Sequence, residues 1–163
     1  TEFVTNRTLD YNGYMPRKYS PLLLLQSAYE EVRSVGSCTA TLVILRYDYL
    51  RSINLGDSGL MILRFADGKW EVLYRTKEQQ HQFNFPYQLG PQSEDKPQHG
   101  HMHGLKVEPG DALLIASDGV WDNVYDAELI GMISEAFPHG AAPLDAEAVA
   151  GAVTTVAAKV VAQ

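Results

Sequence analysis

The chain has 163 residues, which is enough for one domain with a sizeable hydrophobic core, and we predict a single domain over residues 1–163. Its hydrophobic content of 45% and charged content of 20% are ordinary for a soluble globular protein. The formal net charge of −7 argues against binding to nucleic acid or to an anionic membrane surface. Since no apolar run approaches the roughly 20 residues of a membrane span, we expect no direct membrane insertion.

The first half of the chain carries signals for one helix followed by strands. Residues 1–19 are predicted to form an N-terminal loop, because they contain turn-forming Asn-Gly and Met-Pro pairs. Ser20 and Pro21 form a helix start, and the amphipathic pattern continues to Val35. The single cysteine, Cys38, is predicted to be a packed core residue rather than a nucleophile. Next we predict an antiparallel meander of four strands, over residues 39–47, 50–55, 60–65 and 70–75.

The second half begins with a polar, irregular stretch. We predict a long surface loop over residues 90–104, and its histidine-rich part at residues 99–103 favours a solvated loop over a transition-metal site. Residues 113–116 are consecutive apolar residues before an Asp-Gly turn, which is typical of a strand buried on both faces. Asp126 and Asp145 are predicted caps of two further helices. The last helix carries a packed valine stripe of Val149, Val153, Val156 and Val160. This order of elements predicts an α+β fold with segregated layers.

Three aspartates lie where predicted strands end. Asp57 follows one strand in the sequence Gly-Asp-Ser-Gly, and Asp118 and Asp122 follow the apolar run at residues 113–116. Three carboxylates within about 4 Å of one another would repel by roughly 1 to 4 kcal/mol per pair at moderate dielectric. A divalent cation held by oxygen ligands is one compensation for such charge. The alternative is that these residues only form turns and helix starts, as Asp often does, and the residues alone leave both interpretations open.

Four segments of the chain resemble segments of the metal-dependent type 2C Ser/Thr protein phosphatases, and they occur in the order found in that family. Residues 36–41, 54–59 and 117–122 are similar to three general family motifs and read GSCTAT, NLGDSG and SDGVWD. Residues 78–89 resemble a motif of an organellar, largely mitochondrial subgroup and read EQQHQFNFPYQL. Each motif alone is weak evidence for this resemblance, but four motifs in the family's order and at sensible spacing are strong evidence for it.

The resemblance implies an α+β fold in which two antiparallel β-sheets form a central sandwich flanked by helices. It implies hydrolysis of phosphoserine or phosphothreonine in a phosphoprotein substrate by a water that two metal ions, Mg²⁺ or Mn²⁺, activate. By position, Asp118 matches the catalytic aspartate that ligates this metal pair, and Asp57 and Asp122 match aspartates associated with an additional, weakly held ion. The subgroup motif implies a mitochondrial or other organellar matrix location.

Two metal-ligand motifs of the family do not occur in the chain. The family's Asp-Gly-x-Gly segment would precede the first helix, and its Asp-Asp or Asp-Asn pair would follow Asp145. We therefore expect the chain to be a fragment truncated at both ends, with these motifs present in the full-length product. The alternative is a catalytically inactive relative that acts as an interaction or structural subunit of a larger assembly, such as a mitochondrial one.

Overall fold

The structure is a computed structural model that describes residues 20–140 and 146–162. Residues 1–19 and Asp145, the predicted loop and helix cap, lie outside these residues. Within the described residues, the helices are α1 (Pro21–Glu31), α2 (Asp118–Trp121), α3 (Asp126–Ala136) and α4 (Ala146–Val161). The strands in the same residues are β1 (Ala40–Arg46), β2 (Tyr49–Leu55), β3 (Gly59–Ala66), β4 (Lys69–Arg75), β5 (Gln80–Gln82), β6 (Phe85–Pro86), β7 (His101–Lys106) and β8 (Ala112–Ala116).

The described residues divide into two compact units. The first unit contains residues 20–56 and 79–107, and the second contains residues 57–78, 108–140 and 146–162. The first unit holds an antiparallel sheet in the order β1-β2-β7 and the small hairpin β5-β6. The second unit holds an antiparallel sheet in the order β4-β3-β8. The predicted α+β class, with two antiparallel sheets and helices, is confirmed.

In the first unit, β2 is the central strand of the sheet. Ile53 of this strand is fully buried, and it pairs with Leu42 of β1 and with Met102 of β7. The predicted loop over residues 90–104 is therefore wrong at its end, because His101–Lys106 form a strand along β2. The polar and small residues of β7 carry no strand signal of their own, and their conformation is decided by the pairing that β2 offers.

Cys38 is exposed, so the prediction of a packed core residue is wrong. Its backbone N–H donates to the carbonyl oxygen of Leu89 at 2.9 Å, and the Leu89 N–H donates to the carbonyl oxygen of Cys38 at 2.7 Å. The two hydrogen bonds fix the backbone of Cys38 without requiring that its side chain be covered.

In the second unit, β3 is the central strand and supplies much of the core. The core consists of buried residues from β3, β4, α3 and the residue that follows α3, namely Met61, Leu63, Trp70, Ile133 and Phe137. The indole N–H of Trp70 donates to the carbonyl oxygen of Phe137 at 3.0 Å, and the two rings pack edge to face. The buried Trp70 therefore has a partner for its polar atom, as such residues usually do.

Two predictions about the strands are wrong. β2 and β3 do not pair, so the predicted four-strand meander consists instead of two hairpins in different sheets. β8 is not buried on both faces, because Leu113 is 43% exposed and Ile115 is 49% exposed on one of them. In the described sheet β8 is also an edge strand. A short apolar run does not by itself distinguish an edge strand from a central one.

The start of α3 and the end of α1 differ from the predicted positions. α1 ends at Glu31 rather than Val35, because the backbone at Val32 is already extended. Asp126 is the first helical residue of α3, and the N-cap is Tyr125, which precedes it. Local propensity places helix ends poorly, since the ends depend on tertiary contacts.

α4 packs against α3 through only part of its predicted apolar stripe. Of the predicted valines, Val156 contacts the core of the second unit, as does Ala152, which is not part of the predicted stripe. Val153 is 53% exposed, so the predicted stripe is wrong at that position. None of the helices in the described ranges has the length and apolarity needed to cross a membrane.

Candidate active site

Asp57 and Asp118 lie on corners at the same end of the second unit's sheet. β3 pairs with β8 in antiparallel register, and Gly59 lies opposite Ala116. Asp57 comes two residues before Gly59, and Asp118 comes two residues after Ala116. Because antiparallel partners run in opposite directions, the chain enters β3 and leaves β8 at one end of the sheet. The register therefore brings together the two corners that carry these carboxylates.

A tight backbone bend precedes Asp57. Gly56 has a φ of +98°, and a Cβ at this position would lie 2.4 Å from Thr39 Cγ2 and 2.6 Å from the carbonyl oxygen of Tyr87. Only glycine suits both the left-handed backbone and this close approach. Asp57 itself is only 9% exposed. The glycine of the NLGDSG motif thus has a steric role in the bend after which the chain continues through Asp57 to β3.

Asp118 opens α2, a short helix that directly follows β8. Its Oδ1 accepts a hydrogen bond from the Gly119 N–H at 2.8 Å, and its carbonyl oxygen accepts one from the Asp122 N–H at 2.8 Å. Both aspartates are exposed. Asp118 therefore performs the turn role that the sequence left open, but this role uses one of about four acceptor sites on a carboxylate. The side chain keeps the capacity to bind a cation.

The three aspartates suit a hard divalent cation in ligand type, but their placement does not form a metal centre. Mg²⁺ and Mn²⁺ prefer carboxylate and other oxygen ligands. Within residues 20–140 and 146–162, however, no group of three or more His, Cys, Asp or Glu side chains is placed to hold a metal ion. Asp57, Asp118 and Asp122 do not make a complete metal centre by themselves.

Arg75 and Thr76, at and just after the end of β4, are site residues that the sequence did not indicate. The guanidinium carbon of Arg75 lies 3.8 Å from the ring centroid of Trp121 in α2. Thr76 bonds to Leu60 of β3 through both its backbone N–H and its hydroxyl group. Arg75 therefore contacts the helix that begins at Asp118, and Thr76 contacts the strand that follows Asp57. No local pattern marks either residue, because each acts on a partner distant in sequence.

The subgroup motif at residues 78–89 contains the hairpin β5-β6 of the first unit. His81 Nε2 lies 3.0 Å from a carboxylate oxygen of Asp95, and the His81 ring stacks on Tyr87 with the centroids 4.2 Å apart. Burial raises the pKa of the Asp95 carboxyl, but hydrogen bonds from His81 and the Gln88 N–H outweigh it, and the pKa falls below its ordinary value. His81, Gln88 and Asp95 line a cavity of about 640 Å³.

The histidine-rich segment is more ordered than a solvated loop. His99 ends a 3₁₀ turn over Pro97–His99, and its Nδ1 accepts a hydrogen bond from the Lys96 N–H at 3.2 Å. The carbonyl oxygen of His99 accepts a hydrogen bond from Gln79 Nε2 at 2.7 Å. His103, in β7, is partly buried, and burial lowers its pKa. The polar residues of this region therefore satisfy local backbone and side-chain groups.

The chain is similar to protein phosphatases of plants and animals. It is 36% identical to the probable protein phosphatase 2C 80 of Arabidopsis thaliana over 124 residues, which are 76% of this chain and 29% of that protein. It is 39% identical to the protein phosphatase PTC7 homolog fig of Drosophila grimshawi over 141 residues, covering 77% of this chain and 43% of that protein. The chain thus spans less than half the length of these relatives. No protein-family model matches the chain.

Solved phosphatase structures share the fold. The photosystem II phosphatase PBCP is 29% identical with a TM-score of 0.68, over 86% of this chain and 52% of that chain. PppA, a regulatory component of T6SS in Pseudomonas aeruginosa, has a TM-score of 0.54 at 21% identity, over 85% of this chain and 60% of that chain, which shows the fold alone. Fold and similarity together group the chain with proteins that are named as phosphatases. The chain belongs to the type 2C protein phosphatase family, as its motifs predict, and its PTC7 relatives fit the predicted organellar subgroup.

Proposed function

We propose that the full-length protein hydrolyses phosphoserine and phosphothreonine in phosphoprotein substrates. Support comes from relatives named as protein phosphatase 2C and from the four family-like motifs. The observation that carries the proposal is the β3-β8 register, which brings the Asp57 and Asp118 corners to one end of one sheet. A phosphate ester is anionic, and an acidic edge would repel it unless cations were bound there. An acidic edge therefore favours a metal-dependent reaction.

The proposed cofactor is Mg²⁺ or Mn²⁺, with two or three ions in the complete site. Asp118 would ligate the catalytic pair, and Asp57 and Asp122 would hold a further ion, with the remaining ligands supplied from beyond the described residues. Ions bound in this way lower the pKa of a coordinated water and neutralise charge on the phosphoryl oxygens. The contribution of this chain is to present the Asp118 carboxylate at the start of α2, where the Gly119 N–H orients Oδ1.

Asp118→Asn in the full-length protein tests this assignment, and Asp67→Asn is the matched control. Both aspartates are exposed, and both substitutions exchange a carboxylate for an amide of the same size. Asp67 lies in the β3-β4 turn, at the other end of the same sheet, with a φ of +52° that asparagine also tolerates. The control therefore removes one negative charge at the other end of the sheet and leaves the corners that carry Asp57 and Asp118 unchanged.

We expect Asp118→Asn to lower kcat/KM on a phosphothreonine peptide in Mn²⁺ by at least about 100-fold, since bound metals supply several kcal/mol of transition-state stabilisation. Asp67→Asn should leave kcat/KM unchanged. Full activity in the Asp118→Asn protein would refute the role given to Asp118.

A full-length protein that binds Mn²⁺ but turns over no phosphopeptide would overturn the proposed activity. It would favour the alternative of a catalytically inactive subunit of a larger assembly. That alternative has no support among the two curated relatives and PBCP, which are named as phosphatases.

We also propose a mitochondrial or other organellar matrix location for the full-length protein. The motif at residues 78–89 and the similarity to PTC7 homologs support this location. Full-length protein with a C-terminal fluorescent tag should co-localise with a matrix marker. Uniform cytosolic fluorescence would contradict the proposal.

A further inference from the structure

We propose that Arg75 is a positioning residue that fixes the Asp118 corner relative to the Asp57 corner. The inference rests on the proposed function, because it concerns the same site, and every contact that carries it lies within the second unit. Arg75 is the last residue of β4, and Thr76 follows it. These two residues, referred to below as the β4 brace, join the start of β3 to α2.

The Thr76 half of the β4 brace holds the strand that follows Asp57. The Thr76 N–H donates to the carbonyl oxygen of Leu60 at 3.0 Å, and the Leu60 N–H donates to Thr76 Oγ1 at 3.0 Å. Thr76 is buried, so these hydrogen bonds are shielded from water. Gly59 packs so closely that a Cβ there would lie 2.1 Å from Thr76 Oγ1. The backbone just after Asp57 therefore has little freedom to move away from Thr76.

The Arg75 half of the β4 brace holds α2. The guanidinium group stacks on Trp121 at 3.8 Å, and its Nη1 donates to Thr76 Oγ1 at 3.1 Å. The indole N–H of Trp121 in turn donates to the carbonyl oxygen of Ala116 at 2.8 Å, which ties α2 to the end of β8. Trp121 comes three residues after Asp118, on the same short helix. Arg75 thereby connects Thr76 to the helix that begins with Asp118.

Internal contacts engage the guanidinium plane, Nη1 and Nε of the Arg75 side chain. Besides the stack on Trp121 and the hydrogen bond to Thr76, its Nε is buried and lies 3.5 Å from a carboxylate oxygen of Asp126, within ion-pair range but without a hydrogen bond. These contacts favour a positioning role over direct binding of substrate. Lysine would keep the charge beside Asp126 but would lack the planar face and the fixed fork of donors. Arg75→Lys thus separates the geometry of the side chain from its charge.

Arg75→Lys in the full-length protein is compared with Arg64→Lys. Arg64 is a matched control because it lies towards the opposite end of the same sheet, and its side chain is 26% exposed against 23% for Arg75. Arg64 also makes charged contacts, to Asp111 and Glu108. We expect Arg75→Lys to lower kcat on a phosphothreonine peptide about 10- to 100-fold with little change in KM, because small displacements of catalytic groups have effects of this size. Arg64→Lys should leave kcat unchanged.

Hydrogen exchange of residues 117–124, followed by mass spectrometry in the same full-length proteins, provides a readout that is independent of activity. The backbone N–H groups of residues 120–124 are hydrogen-bonded within α2 and the turn that follows it. Loss of the stack on Trp121 should reduce their protection in the Arg75→Lys protein. The Arg64→Lys protein should keep the wild-type protection.

Each outcome decides for or against the proposal. Unchanged exchange in the Arg75→Lys protein would overturn it, and so would faster exchange with an unchanged kcat. A higher KM at constant kcat would show that Arg75 binds substrate, which also overturns it. If the wild-type protein has no phosphatase activity, the proposed function fails, while the exchange comparison still decides whether Arg75 holds α2.

A second pair of variants covers the case in which Arg75→Lys does not fold. Thr76→Val removes the hydroxyl group that accepts from Arg75 and should reproduce the lower kcat and the faster exchange. Thr76→Ser keeps the hydroxyl group and should behave as wild type. Equal behaviour of the two Thr76 variants would overturn the proposal.

Discussion

Gly59 opens β3 beside the candidate site and has no room for a side chain. A Cβ at this position would lie 2.1 Å from Thr76 Oγ1 and 3.1 Å from Arg75 Nη1. Thr76 is 6% exposed, and its hydroxyl group is hydrogen-bonded to the Leu60 N–H. The methyl group of an alanine would therefore displace a buried, hydrogen-bonded side chain rather than solvent.

The magnitude of the effect of Gly59→Ala follows from two contributions. Inserting a methyl group into a packed site costs about 1 to 3 kcal/mol. Displacing the Thr76 hydroxyl leaves the buried Leu60 N–H without its partner, which costs about 1 to 3 kcal/mol more. We therefore expect Gly59→Ala to lower the free energy of unfolding by about 2 to 6 kcal/mol, a large part of the 5 to 15 kcal/mol typical of a domain.

Gly131→Ala is the matched control for this substitution. Gly131 lies within α3, and a Cβ there would meet no atom within 4 Å. Alanine in a helix interior is favoured over glycine by about 0.5 to 1 kcal/mol, so Gly131→Ala should raise the free energy of unfolding. Urea unfolding of the two variants, followed by circular dichroism, should give shifts of opposite sign.

A double-mutant cycle tests whether Thr76 is the cause. Thr76→Ala removes the Oγ1 atom that the new methyl group would strike. The Gly59→Ala/Thr76→Ala protein should therefore be destabilised by less than the sum of the two single substitutions. Additive losses, or a loss in Gly59→Ala no larger than about 0.5 kcal/mol, the range of ordinary surface changes, would refute this reasoning.

Two further predictions concern buried polar contacts. Asp95→Asn should lower the free energy of unfolding at neutral pH by about 1.5 to 3 kcal/mol, the range for hydrogen bonds to charged groups. Because the Asp95 carboxyl has a pKa below its ordinary 3.8 in the folded chain, its stabilisation is present above that pH and is lost as the pH falls through the lower, folded value. Urea unfolding at several pH values should show a flatter acid limb in the Asp95→Asn protein, and an identical limb would contradict the prediction. Trp70→Phe keeps an aromatic ring but removes the hydrogen bond to the carbonyl oxygen of Phe137, which keeps a second one from the Gly140 N–H, so it should cost about 0.5 to 1.5 kcal/mol by the same assay, whereas Trp70→Ala should cost about 3 to 5 kcal/mol. Equal losses in the two Trp70 variants would show that the hydrogen bond and the ring are not separable in this way.

The strands with local signals could be predicted from the sequence. β4 starts only one residue before its predicted position. The prediction is this close because the Asp67-Gly68 pair marks the preceding turn, and Asp67 adopts the left-handed backbone with φ +52° that this turn needs. β1, β2 and β3 likewise lie within one or two residues of the predicted bounds. In each case, apolar or β-branched residues and a turn signal lie within a few positions of each other.

The assignment of strands to sheets could not be predicted in the same way. β2 and β3 are neighbours in the chain but belong to different sheets, since β7 and β8 pair with them from about 50 residues further on. Local pattern contains no information on such distant partners, so a hairpin between β2 and β3 was the natural expectation. The same reason explains why β8 proved to be an edge strand.

The residues of the candidate site also differ in whether a local sequence pattern predicts them. Asp57 and Asp118 could be found because each lies in a short motif whose glycine and turn residues are adjacent in sequence. The β4 brace could not be found in this way, because Arg75 contacts Trp121 and Thr76 contacts Leu60, and both partners are distant in sequence. The sequence also could not show that the described residues group no three acidic, histidine or cysteine side chains around a metal position, since side-chain placement decides this.

The core of the second unit fixes the relative positions of the corners that carry Asp57 and Asp118. In β8, Ala112 and Leu114 pack against the core, while Leu113 and Ile115 lie on the exposed face. A slip of one residue between β3 and β8 would exchange the two faces of β8 and bring either the larger Leu113 or the charged Asp111 to the place of Ala112, and overpacking or a buried charge there would be unfavourable. The same register places Gly59 opposite Ala116 and so sets the positions from which Asp57 and Asp118 leave the sheet. Core packing and the geometry of the candidate site are thus fixed by one and the same strand pairing.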